Sequence, residues 1–192
     1  MKIAILSDIH DNVWNLQAAL RALDNTDVML CLGDLNSPFI VPMLANGYPE
    51  RPIHVVFGNN DGDLFRITKN AAAFSNITLH GEFFRGELGG RRISASHFHT
   101  IAAELQTART DLLCYGHNHL YLVEQRGDCL VVNPGPIMGF DPGSGQDVPA
   151  SFVVYDSEQH DVESFVVQPA TADDISDSTM GLVVKPYAQA VQ

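Results

Sequence analysis

Four short apolar runs, each closed by a cluster of polar residues, constrain the fold of this chain more than any other feature. The runs and their clusters are KIAIL before SDIHDN, VMLCL before GDLN, IHVVF before GNND, and DLLCY before GHNH. Apolar runs of about four to six residues without polar alternation are typical of strands buried on both faces of a sheet. The pattern therefore predicts a layered α/β protein.

The segments around these runs carry helical periodicity and hairpin links. In residues 12–25, apolar side chains recur at helical spacing behind Asn12, which is placed to cap a helix. Further helices are predicted over residues 38–46 and 100–109. Short polar or glycine-containing links between apolar runs predict hairpins over residues 83–96, 120–133 and 151–167. Together these elements predict an α/β fold in which two mixed β-sheets pack as a sandwich flanked by helices.

Length and patterning bound the domain organisation. A chain of 192 residues with 45% hydrophobic content buries one substantial core, so residues 1–167 are predicted to form a single domain. Residues 168–192 lose the apolar periodicity and gain small and acidic residues. We expect this C-terminal extension to be loosely packed.

Charge and composition narrow the classes of function and the expected location. A net charge of −12 argues against stable nucleic-acid binding, which needs clustered Lys and Arg. No segment approaches the roughly 18 consecutive apolar residues of a membrane span. The cysteines are three, an odd number without paired spacing, and fit buried free thiols in a reducing compartment. We therefore expect a cytoplasmic protein without a membrane segment.

The polar clusters carry the residues with chemical potential. In an open α/β sheet, ligands bind beyond the carboxyl ends of the strands, and all four clusters fall at such ends. Each cluster taken alone is also typical of an ordinary turn, because Gly, Asn and Asp are the usual turn residues. A fifth cluster, SHFH at residues 96–99, follows another apolar run. The candidates that should meet in space are Asp8, His10, Asp34, Asn59, Asp61, His97, His99, His117 and His119.

This set of imidazoles, carboxylates and one amide oxygen favours a borderline divalent metal such as Mn, Fe, Zn or Co over Ca or Mg. Asp34 has two carboxylate oxygens, so it is able to bridge a pair of ions about 3.5–4 Å apart. Such a pair would hold a hydroxide positioned to attack phosphorus in line. The residues therefore indicate metal-assisted phosphoryl chemistry.

The ordered motifs resemble those of a known family. Asp8-Ile9-His10, Gly33-Asp34, Gly58-Asn59-Asn60-Asp61, Ser96-His97 and Gly116-His117-Asn118-His119 resemble the five motifs of the calcineurin-like metallophosphoesterases, in particular their small bacterial and archaeal phosphodiesterase branch. The resemblance covers residues 1–167 and includes NPGP at residues 133–136. It implies the four-layer fold of that family and two divalent metal ions, with Mn²⁺ favoured and Fe, Zn or Ni as alternatives.

The resemblance also implies a role for each matching residue. One ion would be held by Asp8, His10 and His119, and the second by Asn59, His97 and His117, with Asp34 bridging the two. Asn12 would help to bind the phosphate. Asp61 would hold Asn60 or a ligand histidine in position, with a helix N-cap as the alternative role.

Two departures from the family pattern bear on catalysis. Asn60 stands where the family usually has a histidine that protonates the leaving group, and an amide cannot donate a proton usefully near neutral pH. Poor leaving groups are therefore expected to react slowly unless His99, His10 or a water supplies the proton. Phe98 stands where a glycine is common and would narrow the pocket or stack on an aromatic part of the substrate. Catalytic roles are thus assigned to Asn60, Asp61 and His99, and substrate contacts to Asn12, Asn60 and Phe98.

These features predict a dinuclear metal-dependent phosphoesterase that hydrolyses small phosphodiesters by attack of a metal-bridging hydroxide. A phosphomonoesterase acting on a metabolite or a nucleotide is the alternative enzyme. A binding scaffold of the same fold without turnover is a third alternative. The contacts that separate diesters from monoesters are expected in residues 38–50, at Phe98 and in residues 139–147. The family also leaves a homo-oligomer, either a dimer or a tetramer, as an expectation.

Overall fold

Two β-sheets lie face to face in the computed structural model, which describes residues 1–187. The strands are β1 (Lys2–Leu6), β2 (Val28–Cys31), β3 (Ile53–Val55), β4 (Ile77–Leu79), β5 (Phe83–Leu88), β6 (Arg91–Ser96), β7 (Leu112–Cys114), β8 (Leu122–Arg126), β9 (Cys129–Asn133), β10 (Phe140–Asp141), β11 (Gln146–Asp147), β12 (Ala150–Asp156), β13 (Asp161–Pro169) and β14 (Leu182–Pro186). The helices are α1 (Val13–Arg21), α2 (Ile40–Gly47), α3 (Leu64–Ala71), α4 (His99–Leu105) and a 3₁₀ helix at Ala172–Asp177.

Both large sheets are mixed. The first has seven strands in the order β14-β13-β12-β1-β2-β3-β4, in which β1 to β4 are parallel and β12 runs antiparallel to β1. The second has five strands in the order β5-β6-β7-β9-β8, with a parallel centre of β6, β7 and β9. A two-stranded hairpin, β10-β11, stands apart from both sheets.

Three buried clusters define the layers. One joins α1, α2 and α3 to the outer face of the seven-stranded sheet, through residues such as Leu16, Leu44 and Ile67. The second lies between the two sheets and includes Ile5 and Val132. The third packs α4 on the outer face of the five-stranded sheet. The order is therefore helices, sheet, sheet, helix, which confirms the predicted sandwich of two mixed sheets flanked by helices.

Most of the predicted elements are present. Asn12 caps α1, because its Oδ1 accepts a hydrogen bond from Asn15 N at 3.1 Å. The helices predicted over residues 38–46 and 100–109 appear as α2 and α4, and Pro42 is tolerated because it falls in the first turn of α2. The three predicted hairpins form between β5 and β6, β8 and β9, and β12 and β13.

The C-terminal extension was expected to be loosely packed, but in the residues that the structure describes it contains a paired strand. Strand β13 continues to Pro169, and β14 pairs with it in antiparallel register from Leu182↔Pro169 to Pro186↔Phe165. Leu182 and Val184 pack against the cluster that holds α1. Pairing with an edge strand gives these residues a partner that their own composition does not reveal. The remaining tail, residues 188–192, lies outside the described residues, and the boundary at residue 167 stays a prediction.

Candidate metal centre

The candidate ligands lie in loops that follow β1, β2, β3, β6 and β7, at one edge of the two sheets. Backbone hydrogen bonds fasten neighbouring loops together: Asp8 N donates to Gly33 O at 3.1 Å, and His10 N donates to Asp34 O at 2.9 Å. Several of these residues have a left-handed backbone, with φ between 43° and 71° at His10, Asp8, Asp34, His119 and His117. Each such conformation costs on the order of 1–3 kcal/mol in a non-glycine residue and is typical of functional sites.

A first group of donor atoms surrounds the carboxylate of Asp8. His119 Nε2 lies 3.3 Å and His10 Nε2 lies 3.8 Å from Asp8 Oδ1. Asp8 is completely buried, and within residues 1–187 neither its Oδ1 nor His10 Nε2 has a hydrogen-bond partner. A buried anionic oxygen without a partner is costly, and a cation among these three residues removes that cost. The first group therefore fits a metal ion.

A second group forms around Asp34. His97 Nε2 lies 3.4 Å from Asp34 Oδ2 and 3.1 Å from Asn59 Oδ1. The same Asp34 Oδ2 lies 3.3 Å from His10 Nε2, which belongs to the first group. One carboxylate oxygen thus stands between the imidazoles of both groups, as a bridging ligand would.

His117 belongs to neither tight group. Its side chain is exposed, and its ring centroid lies 5.1 Å from that of His97. Its backbone N–H donates to Asp8 Oδ2 at 3.1 Å, which ties the His117 loop to the first group. The structure therefore places His117 beside the second group without bringing its nitrogen into the cluster.

The outer nitrogens of two histidines are fixed by backbone carbonyls. Nδ1 of His97 donates to Leu32 O at 2.8 Å, and Nδ1 of His119 donates to Phe140 O at 2.6 Å. Because a carbonyl oxygen only accepts, Nδ1 carries a proton in each ring. Nε2 is therefore the nitrogen of each ring that faces the carboxylates and would bind a metal.

The histidines of the site stabilise the ionised form of the Asp8 and Asp34 carboxylates. Burial alone would raise the pKa of Asp8, but interactions with His10 and His119 outweigh burial and place its pKa below the usual range. The same balance, with His97 as the main partner, lowers the pKa of Asp34. Burial would lower the pKa of His97, but Asp34 and Asp8 raise it above its usual value. The cluster is thus a pair of ionised carboxylates with imidazoles around them, which suits divalent cations.

Asp61 has a different role from either one that the sequence predicted. Its carboxylate accepts backbone N–H bonds from Gly58 (2.8 Å), Asp34 (3.2 Å), Leu35 (2.7 Å) and Asn36 (3.1 Å). It therefore fixes the backbone of the Asp34 loop against the Gly58 loop, and these bonds run neither to Asn60 nor to a ligand histidine. The helix N-cap belongs to Asp63, whose side chain accepts from Arg66 N.

Asn60 donates hydrogen bonds to both carboxylate oxygens of Asp34, the proposed bridging ligand. Its backbone N donates to Asp34 Oδ1 and its Nδ2 donates to Asp34 Oδ2, both at 2.8 Å. This contact was not predicted from the sequence, because Asn60 was interpreted in terms of proton donation and substrate binding. The orientation of Asp34 thus depends on Asn60, while the catalytic and substrate-binding roles of Asn60 stay predictions.

The other residues predicted to act on substrate lie at the margin of the site. The side-chain oxygen of Asn12 caps α1, and its Nδ2 donates to Met138 O at 3.0 Å. Both polar groups of this side chain are therefore hydrogen-bonded to the backbone. The ring of Phe98 packs beside those of His97 and His117, with centroids 5.1 and 4.9 Å away. His99 is exposed at the first position of α4, and its ring lies 6.2 Å from that of Tyr115.

A cavity of about 380 Å³ opens over the donor atoms. The β10-β11 hairpin forms one wall of it, within the segment 139–147 that was expected to carry specificity. Two larger cavities, of about 440 and 450 Å³, lie beside α1 and have no histidine in their walls. The smaller cavity is therefore the candidate substrate site, because it borders the candidate ligands. Its walls are formed by His10, Asp34, Asn59, Asn60, His117, Asn118, His119, Asp141, Pro142 and Gly143.

Comparison with known proteins agrees with this geometry. The sequence profile of the calcineurin-like phosphoesterase superfamily domain matches residues 1–160, so the chain belongs to that superfamily. Phosphodiesterase MJ0936 of Methanocaldococcus jannaschii is 27% identical over 148 residues, which are 74% of this chain and 88% of that protein. Phosphodiesterase YfcE of Escherichia coli strain K12 is 26% identical over 176 residues, which are 82% of this chain and 89% of that protein.

The fold gives the same result. The solved structure of an archaeal phosphodiesterase superposes with a TM-score of 0.75 at 25% identity, and covers 86% of this chain and 99% of that one. Family membership and these relatives make the protein a phosphoric ester hydrolase of the metallophosphoesterase class. Among the helices of residues 1–187, none is long and apolar enough to cross a membrane.

Proposed function

We propose that this protein hydrolyses small phosphodiesters with two divalent metal ions held at the edge of its sheets. Asp8, His10 and His119 would hold one ion, Asn59, His97 and His117 the other, and Asp34 would bridge them. Bound ions of this kind supply a water-derived nucleophile near neutral pH and neutralise charge on the phosphoryl oxygens. The observation that carries the proposal is the position of Asp34 Oδ2, 3.3 Å from His10 Nε2 and 3.4 Å from His97 Nε2.

The donor set suits Mn²⁺, which the family resemblance favours, and it suits Fe, Zn or Ni equally. It combines imidazole nitrogens with carboxylate and amide oxygens and contains no thiolate, because all three cysteines are buried elsewhere in strands β2, β7 and β9. His97 and His119 direct Nε2 toward the carboxylates, and the carboxylates of Asp8 and Asp34 are ionised at neutral pH. The site is therefore ready to bind cations without first losing protons from its carboxylates.

The protein's own groups have distinct tasks around the substrate. Asn60 fixes both oxygens of Asp34, which keeps the bridging carboxylate in one orientation. The exposed side chain of His117 stands at the open side of the site and is the imidazole most accessible to a bound ester. Since Asn60 cannot supply a proton to the leaving group, esters with good leaving groups should react fastest.

Diesters of small molecules fit this site better than nucleic acids. The relatives named above are called phosphodiesterases, which supports the diester preference. The net charge of −12 opposes attraction of a polyanion, so a substrate that fits a cavity of about 380 Å³ is the better match. The phosphomonoesterase alternative predicts the opposite order of substrates.

The test is hydrolysis of bis-p-nitrophenyl phosphate and of p-nitrophenyl phosphate by chelator-stripped protein, with and without added Mn²⁺. We expect Mn²⁺ to restore activity and the diester to react clearly faster. Asp34→Asn should lose at least about 100-fold in kcat while its unfolding curve stays close to wild type, because it removes one charge from the proposed bridge. Asp24→Asn, an exposed change far from the site, is the matched control and should be fully active.

A faster monoester would favour the phosphomonoesterase instead. Folded, metal-loaded wild-type protein that cleaves neither ester would favour the scaffold alternative.

A further inference from the structure

The side chains that line the metal-site cavity include carboxylates and no permanently positive group among the described residues. Among the described residues that line it there is no lysine and no arginine. Two of its lining residues are aspartates, Asp34 and Asp141. Asp34 is accounted for as the proposed bridging ligand, but Asp141 has no place among the candidate ligands. Its charge therefore borders the space that a substrate would enter.

Asp141 is held in place from several directions. It is paired with Gln146 in the β10-β11 hairpin, and the preceding residue, Phe140, accepts a hydrogen bond of 2.6 Å from Nδ1 of His119. Just before the hairpin, Met138 N donates to Asp8 O at 2.9 Å. The hairpin is thus fastened to two of the candidate ligand residues, and Asp141 keeps a fixed position relative to them.

The carboxylate of Asp141 is fixed as well. It accepts hydrogen bonds from Gly143 N at 3.0 Å and from Ser144 N at 3.1 Å, which close the turn of the hairpin. Hydrogen bonds from Ser144 and Gly143 hold the pKa of Asp141 below its usual range, so it is ionised at neutral pH. Its charge also reaches the ligand cluster, because it contributes to the raised pKa of His119.

We propose that Asp141 is a specificity-determining residue that disfavours doubly charged phosphomonoesters relative to singly charged phosphodiesters. This inference rests on the proposed phosphoesterase function. A phosphomonoester with a second pKa near 6 carries close to two negative charges at neutral pH, whereas a diester carries one. The bound ions would attract both esters in wild type and variants alike, and the charge of Asp141 adds a repulsion that is about twice as large for the monoester as for the diester.

The repulsion gives a graded test. Wild type, Asp141→Asn and Asp141→Lys are compared by kcat/KM on p-nitrophenyl phosphate and on bis-p-nitrophenyl phosphate, with saturating Mn²⁺ at pH 7.5. Asparagine retains an oxygen to accept from the hairpin turn, so it removes the charge with little change in shape. We expect the ratio of kcat/KM for the monoester to kcat/KM for the diester to rise roughly threefold for Asp141→Asn, which removes one negative charge. For Asp141→Lys, which changes the charge by two units, we expect a rise of roughly tenfold.

Two further comparisons isolate the charge of Asp141. Asp147 belongs to the segment 139–147 that was expected to carry specificity, but it is exposed and does not line the cavity. Asp147→Asn and Asp147→Lys should therefore leave the ratio unchanged. The shift in ratio should also shrink between low and high ionic strength, because salt screens exposed charges. A purely structural effect on the hairpin would be insensitive to salt.

The outcomes separate the two proposals. Diester hydrolysis by wild type with a ratio that stays constant across the Asp141 variants would overturn the role of Asp141 alone. Equal shifts at Asp141 and Asp147 would overturn it too, because they would indicate a general change in charge. If metal-loaded wild type cleaves neither ester, the proposed function fails and the role of Asp141 fails with it.

Discussion

The candidate ligands have short side chains, so their donor atoms meet only if the backbone beneath them is placed correctly. Asp61 does much of this placing. It is 6% exposed and receives backbone N–H groups from both the Asp34 loop and the Gly58 loop. Its burial raises its pKa even though these donors favour the ionised form. A residue outside the set of candidate ligands can therefore control how well metal ions would be held.

We expect Asp61→Asn to reduce kcat or metal affinity by about 10- to 100-fold, the usual cost of losing a group that orients a ligand. The amide presents N–H groups to backbone donors, so the variant should also lose about 1–3 kcal/mol of unfolding free energy. Titration of Mn²⁺ against activity separates the loss of affinity from the loss of kcat.

The matched control is Asp63→Asn, two residues away. Asp63 caps α3 through Arg66 N, and asparagine is an equally good N-cap, so this variant should bind Mn²⁺ like wild type. Normal Mn²⁺ affinity and kcat in Asp61→Asn would show that the Asp34 loop keeps its shape without the carboxylate.

Single residues were predictable from the sequence where their role followed from their place at a strand end. The grouping of Asp8, His10, Asp34, Asn59, His97 and His119 is of this kind, because parallel strands deliver their carboxyl ends to one edge. Roles that depend on which backbone groups point where could not be predicted. Loop geometry, which residue type does not fix, determines three such features. They are the four N–H bonds to Asp61, the hydrogen bonds of Asn60 to Asp34 and the position of Asp141 in the cavity wall.

At the scale of elements, long amphipathic or apolar segments were predicted and short ones were not. Helix α3 was missed, because only Ile67 and Ala71 face the core and its start lies within the polar stretch that follows Asp61. Strand β14 was missed because LVVKP follows an acidic segment and gains its structure by pairing with β13. Whether such a short run forms a strand or a helix depends more on strand pairing and packing than on its composition.

The contribution of β14 can be measured with one change at a residue that packs on the core and one at a residue that forms an ion pair. Val184 packs against the cluster that holds α1, so Val184→Ala should lower the unfolding free energy by about 1–2 kcal/mol. Lys185, the next residue, makes a part-exposed ion pair with Asp174, and Lys185→Ala should cost no more than about 1 kcal/mol. Chemical denaturation followed by fluorescence compares the two. Equal costs would indicate that β14 contributes little to the folded core.

At the scale of the whole molecule, the two sheets are joined by a shared core and by the chain that crosses between them. His54 on β3 and His80 after β4 lie where the chain leaves the first sheet, with His54 Nδ1 2.8 Å from His80 Nε2. Both rings pack within about 5.1 Å of Phe84 on β5 of the second sheet. Burial lowers the pKa of both histidines, and the neighbouring charge of His80 lowers that of His54 further.

This arrangement predicts a loss of stability in mild acid. The unfolded chain takes up protons at these histidines near pH 6.5, at a higher pH than the folded protein does, so the unfolding free energy should fall as the pH drops below that value. The variant His54→Phe removes one of the two titrating groups and should show a smaller drop between pH 7.5 and 5.5 than wild type, measured by denaturation at each pH.

The control for that comparison is His160→Asn, which replaces a histidine in the β12-β13 turn and should retain the full drop. The histidines of the metal site are the same in all three proteins, so they cancel in the comparison. A drop in His54→Phe as large as in wild type would assign the acid sensitivity to other groups.

We propose that Asp34 lies between two metal ions held by loops from both sheets. Anomalous diffraction at the manganese edge, from crystals grown with Mn²⁺, is the measurement that tests this arrangement. We expect two peaks, one on each side of the Asp34 carboxylate and about 3.5–4 Å apart, the first beside Asp8 and the second beside His97. A single peak at full Mn²⁺ loading, or peaks away from Asp8 and Asp34, would contradict it.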